Sequence, residues 1–406
     1  MIFAVALGLL LVIICGYFNG PRAKIGAVLL GGCLIFDLGR ANLPWIIHWN
    51  YQQKYEVGSL NPIVKFLRDK PYEHRVAGLP FHPPQGLELF DVLYKIEWVQ
   101  HQFPNYNIQS LDIVQMPRMP EDLKEYKKAL SSRGDLATAP LMAREWQLTN
   151  TRYLLGPAGF LDMMNEQLDP VLHRFRIFQR FEVLPKTGIV NSTRLEELTA
   201  VPNENGPYAL IEFTGALPRA KVYSHWQVST NDQAVLAQLG SAGFDPERNV
   251  LVDSVLSDSQ AGASGGPNVN GEGTVEFVSY TSKHIILKTK AEFPSVLLLN
   301  DRFDPAWRVT VDGKPASLLR CNYIMRGVQL TPGAHAVEFT FNISIGLPFA
   351  RVQVEPDTQL VEVTFNVPLG LPSYITLSAF GSGFVLIGVL MIAGRRNASL
   401  RGGKTD

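Results

Sequence analysis

LLLNDRFDPAWRVTVDGKPA, residues 297–316, decides the fold class. Trp307, Val309 and Val311 alternate with Arg308 and Thr310, so an extended chain here has one apolar and one polar face, as a strand buried on one side requires. Asp312-Gly313 follows, the dipeptide that supplies both positive-φ positions of a two-residue hairpin turn. Asp304-Pro305 reads as a turn leading into the strand.

Apolar-alternating runs of the same kind recur at 274–280, 284–290, 295–300, 324–330 and 335–342, separated by turn residues such as Pro332-Gly333. Short strands at that spacing predict a self-contained antiparallel β-sandwich over 274–368, with a last pair of strands at 351–355 and 360–366. Residues 259–273, SQAGASGGPNVNGEG, are poor in apolar side chains and dense in Gly, and read as a linker. Residues 45–258 read as a mixed α/β domain. Asn61 can cap a helix opening at Pro62, and Pro120-Glu121-Asp122 opens another through Leu130. WQLTNTRYLLG (146–156), RFRIFQRFEVL (174–184), YALIEF (208–213) and RAKVYSHWQV (219–228) read as strands.

Both ends of the chain are apolar. Met1–Phe18 is long enough for a bilayer core that needs about 17–25 residues, and a cleaved leader fits poorly because no Lys or Arg precedes the run. A second run, Ile25–Leu38, extends toward Trp45, which gives two transmembrane helices within 1–44. A third, residues 371–393, contains no charged residue and precedes a basic tail, 394–406, with Arg395, Arg396, Arg401 and Lys404. The positive-inside rule puts that tail and the Arg22/Lys24 loop in the cytoplasm, and the large middle region on the periplasmic or extracellular side of a multi-pass inner (plasma) membrane protein. Trp45, Trp49, Tyr51 and Tyr374 would form its outer aromatic belt. The predicted class is therefore α+β with terminal transmembrane helices, and the lipid bilayer is the first expected partner. A first helix that starts outside without a polar leader suggests the C-terminal part of a longer polytopic chain.

Composition excludes some partners. Lys+Arg 37 balances Asp+Glu 37, so there is no basic surface for nucleic acid. Cys15 and Cys33 lie in the apolar N-terminal runs, leaving Cys321 alone in the middle, where a buried small hydrophobe is the ordinary role. The eight His are scattered singly, with no zinc-ligand spacing, and no phosphate loop or dinucleotide fingerprint is present; no metal or cofactor is expected.

The 297–316 stretch, with Asn322, Arg326-Gly327-Val328 and PGAHAVEFTF (332–341), resembles the YfhO-like bacterial membrane proteins, which look like large-loop, lipid-linked-sugar glycosyltransferases. FDLGRANLPW (36–45), LTNTRYLLG (148–156), LPRAKVYSHWQV (217–228) and FDPERNVLV (244–252) belong to the same resemblance. It covers most of this chain but only the C-terminal portion of the family. It implies envelope glycan or glycolipid assembly, with a polyprenyl-phosphate-linked sugar or an envelope glycan as partner. The family's activity is thought to depend on acidic residues in an outer loop upstream of these motifs, so the resemblance assigns no catalytic residue here.

Three features are weighed as sites. Gly262-Ala263-Ser264-Gly265-Gly266 matches the nucleophile-elbow pattern, but it stands in Gly-rich sequence before Pro267 and reads as linker. Asp301, Asp304 and Asp312 surround Trp307, which is either a sugar platform or a core residue of its strand. Asp37 and Arg40, three apart near the outer end of an apolar helix, either contact a ligand or pair with each other. Asp37, Arg40 and Trp307 are thus the candidate ligand contacts. Two functions remain open: the extracytoplasmic part of a glycosyltransferase-like membrane protein, or a non-enzymatic membrane-anchored module that binds surface polysaccharide or a partner protein.

Overall fold

Helix α1 (Ile2–Ile14) ends where the backbone turns left-handed at Gly16, φ 80°. Gly16 N–H donates to the Ile13 carbonyl at 3.0 Å and Tyr17 N–H to the Val12 carbonyl at 3.3 Å, the pair of bonds that closes a helix on a glycine. The expected span Met1–Phe18 is thereby cut to 13 residues. At about 1.5 Å per residue that is short of a hydrocarbon core of about 30 Å. Helix α2 (Ala23–Asn42) has 20 residues and is, among the described residues, the one helix long and apolar enough to cross a membrane by length and composition. Its side chains are mostly uncovered, Val28 at 74 % and Ile35 at 73 %. The Phe18 ring fills the space a side chain at Gly26 would need.

This computed structural model describes residues 2–18, 20–43, 60–68, 72–112, 118–255 and 273–341, and the backbone of 344–347, 350–354 and 361–365. The run 371–393, the tail 394–406, Trp45, Trp49, Tyr51, Tyr374 and nearly all of 259–273, including the Gly262–Gly266 pattern, lie outside the described residues. The chain divides into two units, 1–65 and 66–406, with the division inside α3 (Pro62–Arg68). As expected, Asn61 caps α3, its Oδ1 accepting from Val64 N–H at 2.9 Å.

The second unit is mixed α+β. Its first sheet has the order β1-β2-β5-β3-β4, formed by Arg75–Gly78, Thr151–Pro157, Tyr208–Phe213, Phe175–Pro185 and Leu198–Pro202 respectively. Only the β1–β2 pair is parallel. Strand β2 starts later than the sequence suggested. Trp146 to Leu148 close a helix, and Asn150, at φ 59°, reverses the chain before Thr151.

A six-stranded sheet lies at the centre, in the order β6 (Ala220–Tyr223), β11 (Ser295–Arg302), β15 (Met325–Leu330), β14 (Leu319–Cys321), β8 (Asn249–Val252), β7 (His225–Val228). Its two edge strands, β6 and β7, are separated in sequence by Ser224 alone, so the sheet curls until its edges adjoin. A five-stranded antiparallel sheet covers one face, in the order β13 (Lys314–Ala316), β12 (Trp307–Val311), β16 (Gly333–Phe341), β10 (His284–Ala291), β9 (Thr274–Tyr280). Val222, Leu297, Leu299 and Val328 of the central sheet share one apolar cluster with Leu287, Val309, Val337 and Phe339 of the covering sheet. The opposite face holds Tyr223, Val296, Leu298 and Met325, packed with Tyr126 and Leu130 of α4 (Glu121–Leu130) and with Val235 and Leu239 of α5 (Asp232–Leu239). Being covered on both faces explains why Val296–Leu299 of β11 is an unbroken apolar run while β12 alternates.

The expected boundary at 259–273 does not separate two sheets. Strands β6, β7 and β8 precede it, yet β6 pairs with β11 (Leu297 opposite Val222) and β8 with β14 (Val252 opposite Cys321). A self-contained sandwich over 274–368 is therefore corrected: sequence periodicity finds strands, whereas partners from before residue 253 are a long-range fact it does not carry. The hairpin between β12 and β13 is as expected, with Val311 opposite Lys314 and both turn residues left-handed, Asp312 at φ 51° and Gly313 at φ 74°. A small antiparallel sheet, β17 (Ser344–Leu347), β18 (Ala350–Val354) and β19 (Val361–Phe365), completes the described backbone.

Candidate functional site

Asp301, near the end of β11, gathers cations. Its carboxylate lies 3.3 Å from Arg75 Nη2, 2.8 Å from Arg219 Nη2 and 3.0 Å from Arg326 Nη2, and it accepts from the Tyr280 hydroxyl at 3.1 Å. Three guanidiniums on one carboxylate leave an excess of buried positive charge. Burial first, and then repulsion from Arg219, presses the Arg75 pKa down; Asp301 opposes the shift. A guanidinium nevertheless stays charged in such a place. Arg326 is shifted down by burial in the same way.

Asn300 fixes this cluster to the rest of the unit. Its Nδ2 donates to the Leu148 carbonyl at 2.5 Å, its Oδ1 accepts from Arg75 Nη1 at 2.9 Å, and its own carbonyl accepts from Arg75 Nη2 at 2.8 Å. Arg75 Nη1 also donates to the Thr149 carbonyl at 2.6 Å. The start of β1 and the loop ahead of β2 are thus tied to the central sheet.

Beside the cluster is a cavity of about 190 Å³. Arg75, Asp301, Tyr126, Lys127 and Glu145 are among the residues that line it. Glu145 belongs to the helix Pro140–Leu148, held 4.0 Å from Lys127 Nζ, and burial raises its pKa with Lys127 opposing. The Tyr126 hydroxyl, itself buried, has no hydrogen-bond partner among the described residues, and burial, with the nearby Glu145, pushes its pKa up. At the rim Arg302 Nη2 donates to Asp122 Oδ1 at 2.8 Å and Oδ2 at 3.0 Å.

Trp307 is 8 % exposed and belongs to the core between the covering and central sheets. The Arg326 guanidinium lies over its ring and Phe341 packs at 5.2 Å, so it presents no open face to a sugar. Asp304 makes the expected turn, its Oδ1 accepting from Ala306 N–H at 2.8 Å. Asp312 accepts from His335 Nδ1 at 2.8 Å and from Ala336 N–H at 2.9 Å. Of the three acids around Trp307, only Asp301 enters the cluster. In the first unit, Asp37 Oδ1 is 3.9 Å from Arg40 Nη2, both exposed on one face of α2. Cys321 is buried, and burial raises its thiol pKa. Among the described residues no group of three or more His, Cys, Asp or Glu could hold a metal ion.

Sequence reading did not find Arg75, Tyr126, Glu145 or Arg219. A faint signal exists for Arg75, the one charge of the short strand RVAG; Arg219 stands just before β6, which carries Lys221 as well, and Tyr126 and Glu145 sit on amphipathic helices with nothing to distinguish them. Comparison with protein-family models, curated proteins and solved structures gives no significant match.

Proposed function

We propose that this chain is the outer, membrane-anchored region of a glycosyltransferase-like protein that works on cell-envelope glycans. The observation that carries the anchoring is α2, a 20-residue apolar helix whose large side chains are left uncovered. Supporting it are the resemblance of residues 297–341 to YfhO-like proteins and the third apolar run at 371–393, which with α2 would hold the second unit on the non-cytoplasmic side. In this reading the covering and central sheets act as a β-sandwich that braces the cavity. Asp301, engaged by three guanidiniums and Tyr280, would then organise the cavity wall.

A photoreactive polyprenyl-phosphate-linked sugar added to membranes containing the chain is the test. The chain should resist carbonate extraction and become cross-linked, and a cysteine placed at Ser264, but not at Ser399, should be labelled in intact cells. A chain that washes off the membrane, or labelling at Ser399 alone, would end this reading.

A further inference from the structure

Two cations among the residues that line the cavity keep bonding capacity in reserve. Lys127 Nζ makes no hydrogen bond among the described residues; its ion-pair partner, Glu145 Oε1, stands at 4.0 Å, beyond hydrogen-bond distance. Arg302 spends Nε and Nη2 on the Asp122 carboxylate and leaves Nη1 unbonded among the described residues. The Lys127 and Arg302 side chains are 31 % and 49 % exposed, so solutes reach both.

The charge around them is unbalanced. Arg75, Arg219 and Arg326 converge on the one carboxylate of Asp301, while Lys127 and Arg302 are opposed by Glu145 and Asp122 singly. Asp112, the other acid that acts on Glu145, already accepts from the Tyr94 hydroxyl at 2.6 Å and from Gly78 N–H at 2.7 Å. In this set five cations stand against four carboxylates. Glu145, which accepts no hydrogen bond on its carboxylate among the described residues, is also the acid that burial pushes toward its neutral form. A positive excess with vacant N–H groups suits an oxyanion, since charge-assisted bonds from ammonium and guanidinium groups to anionic oxygens are the strong ones. A cation would be repelled by Lys127, Arg302 and Arg75, and a neutral ligand would gain nothing from the excess. A volume of about 190 Å³ holds several waters, and so one small oxyanion, and lies below the ≈ 300–1,000 Å³ of pockets for drug-sized ligands.

We propose that this cavity binds one small oxyanion of the phosphate or sulfate class, with Lys127 Nζ and Arg302 Nη1 donating to its oxygens and the excess charge of Arg75, Arg219 and Arg326 adding attraction. The site rests on the cavity wall alone and is independent of the anchoring and the glycan reading. Glu145 gives it a signature. An anion beside this carboxyl favours the protonated form, which then donates to the anion instead of repelling it, so binding takes up a proton. The charged and titratable groups that share the cavity with Glu145 or act on its charge are Lys127, Tyr126, Arg302, Arg75, Asp301 and Asp112, and comparison with Glu145→Gln separates its contribution from theirs.

The experiment uses the full chain in phosphatidylcholine nanodiscs, titrated calorimetrically with sulfate and with inorganic phosphate at constant ionic strength. Methyl α-D-glucopyranoside and tetramethylammonium are the neutral and cationic controls. Both oxyanions should bind saturably and neither control should. Lys127→Met, which keeps the aliphatic stem, and Arg302→Gln should each weaken binding roughly tenfold, the worth of one hydrogen bond to a charged group. Lys124→Met, which removes the same charge from an exposed position of α4 outside the cavity, should leave binding unchanged. Lys127 is part-exposed and makes no hydrogen bond among the described residues, so its variant should fold and carries the test if Arg302→Gln does not. Sulfate should bind the wild type more tightly at about pH 5 than at about pH 7.5, and Glu145→Gln should flatten that difference. Glycerol 3-phosphate against a short-chain phosphatidic acid, added below its micelle concentration, separates the sources of the anion. Tighter binding of the acylated ligand, lost in Lys127→Met, assigns a lipid headgroup, and equal binding assigns a soluble anion. Four results overturn the site: no saturable oxyanion binding, meaning a cavity that holds water only; equal weakening by Lys124→Met and Lys127→Met, meaning adventitious surface charge; tighter binding of either control; or an unaltered pH dependence in Glu145→Gln.

Discussion

The Arg326 guanidinium lies 3.7 Å from the centroid of the Trp307 ring, joining β15 of the central sheet to β12 of the sheet that covers it. The same side chain donates through Nη2 to Asp301 at 3.0 Å, so the indole is one wall of the charged cluster. An aromatic face over a desolvated cation is worth about 2 kcal/mol or more. The ring therefore shields a buried charge in addition to filling space.

Trp307→Ala should accordingly be severe. Loss of a buried Trp side chain costs about 3–5 kcal/mol, against roughly 5–15 for a whole domain, and here Arg326 also loses its cover. Thermal melting should fall by many degrees, and Trp307→Phe, which keeps a ring, should lie between. An unchanged melting curve for Trp307→Ala would show that the indole is not a core residue.

Asp301→Asn removes the only carboxylate within salt-bridge distance of Arg219 and Arg326 among the described residues. Breaking one partner out of a buried ion pair costs about 3–5 kcal/mol, because the remaining charges stay desolvated. The urea midpoint should drop sharply with an unchanged slope, whereas Asp304→Asn, in an exposed turn, should shift stability by less than about 0.5 kcal/mol. Equal behaviour of the two variants would mean that the cluster contributes little.

The hairpin at Asp312-Gly313, the alternation of β12 and the cap at Asn61 were all legible, because each is written within a few consecutive residues. The central sheet was not. Its strands come from 220–252 and 295–330, and nothing local in RAKVYSHWQV says that the chain breaks at Ser224 to form opposite edges of one sheet. The candidate site failed to show for the same reason. Arg75, Tyr126, Glu145 and Asp301 come from four separate elements, and each alone looks like an ordinary surface or core residue. Of the acids that did attract notice around Trp307, Asp304 and Asp312 owe their place to turns, and only Asp301, on β11, belongs to the cluster.

His335 and Asp312 give a pH window. Their mutual hydrogen bond raises the His335 pKa above its ordinary 6.5 and lowers that of Asp312 below its ordinary 3.8. A raised His contributes stability that is complete below 6.5 and is lost as pH rises through the folded value. A depressed Asp contributes stability present above 3.8 and lost as pH falls through its folded value. The difference in melting temperature between wild type and His335→Gln should therefore be largest between about pH 4 and 6.5 and shrink on both sides. A difference that stays flat from pH 3 to 9 would rule out a charge-dependent pair.

Residues 270–368 alone should not fold. The fragment keeps the covering sheet but leaves the central one with β11, β14 and β15 only, since β6, β7 and β8 lie before residue 253. Strand β11 would then present as an unpaired edge the backbone that in the full chain bonds to Ala220–Tyr223. Seven of its eight residues, Ser295 to Asp301, are buried in the full chain, on one face by the covering sheet and on the other by Tyr126, Leu236 and their neighbours. An uncovered edge strand with an unbroken apolar run such as Val296–Leu299 is a site of aggregation. Asp301 and Arg326 would also lose Arg75 and Arg219, leaving the charged cluster half-built. The expected result is an aggregating fragment without a cooperative melting transition, whereas residues 66–368, which restore β6 to β8 and the two arginines, should melt cooperatively. A sharp transition from the short fragment, with the urea slope expected for its size, would show that the sheet pairing across residues 259–273 is dispensable and that the second unit is two domains.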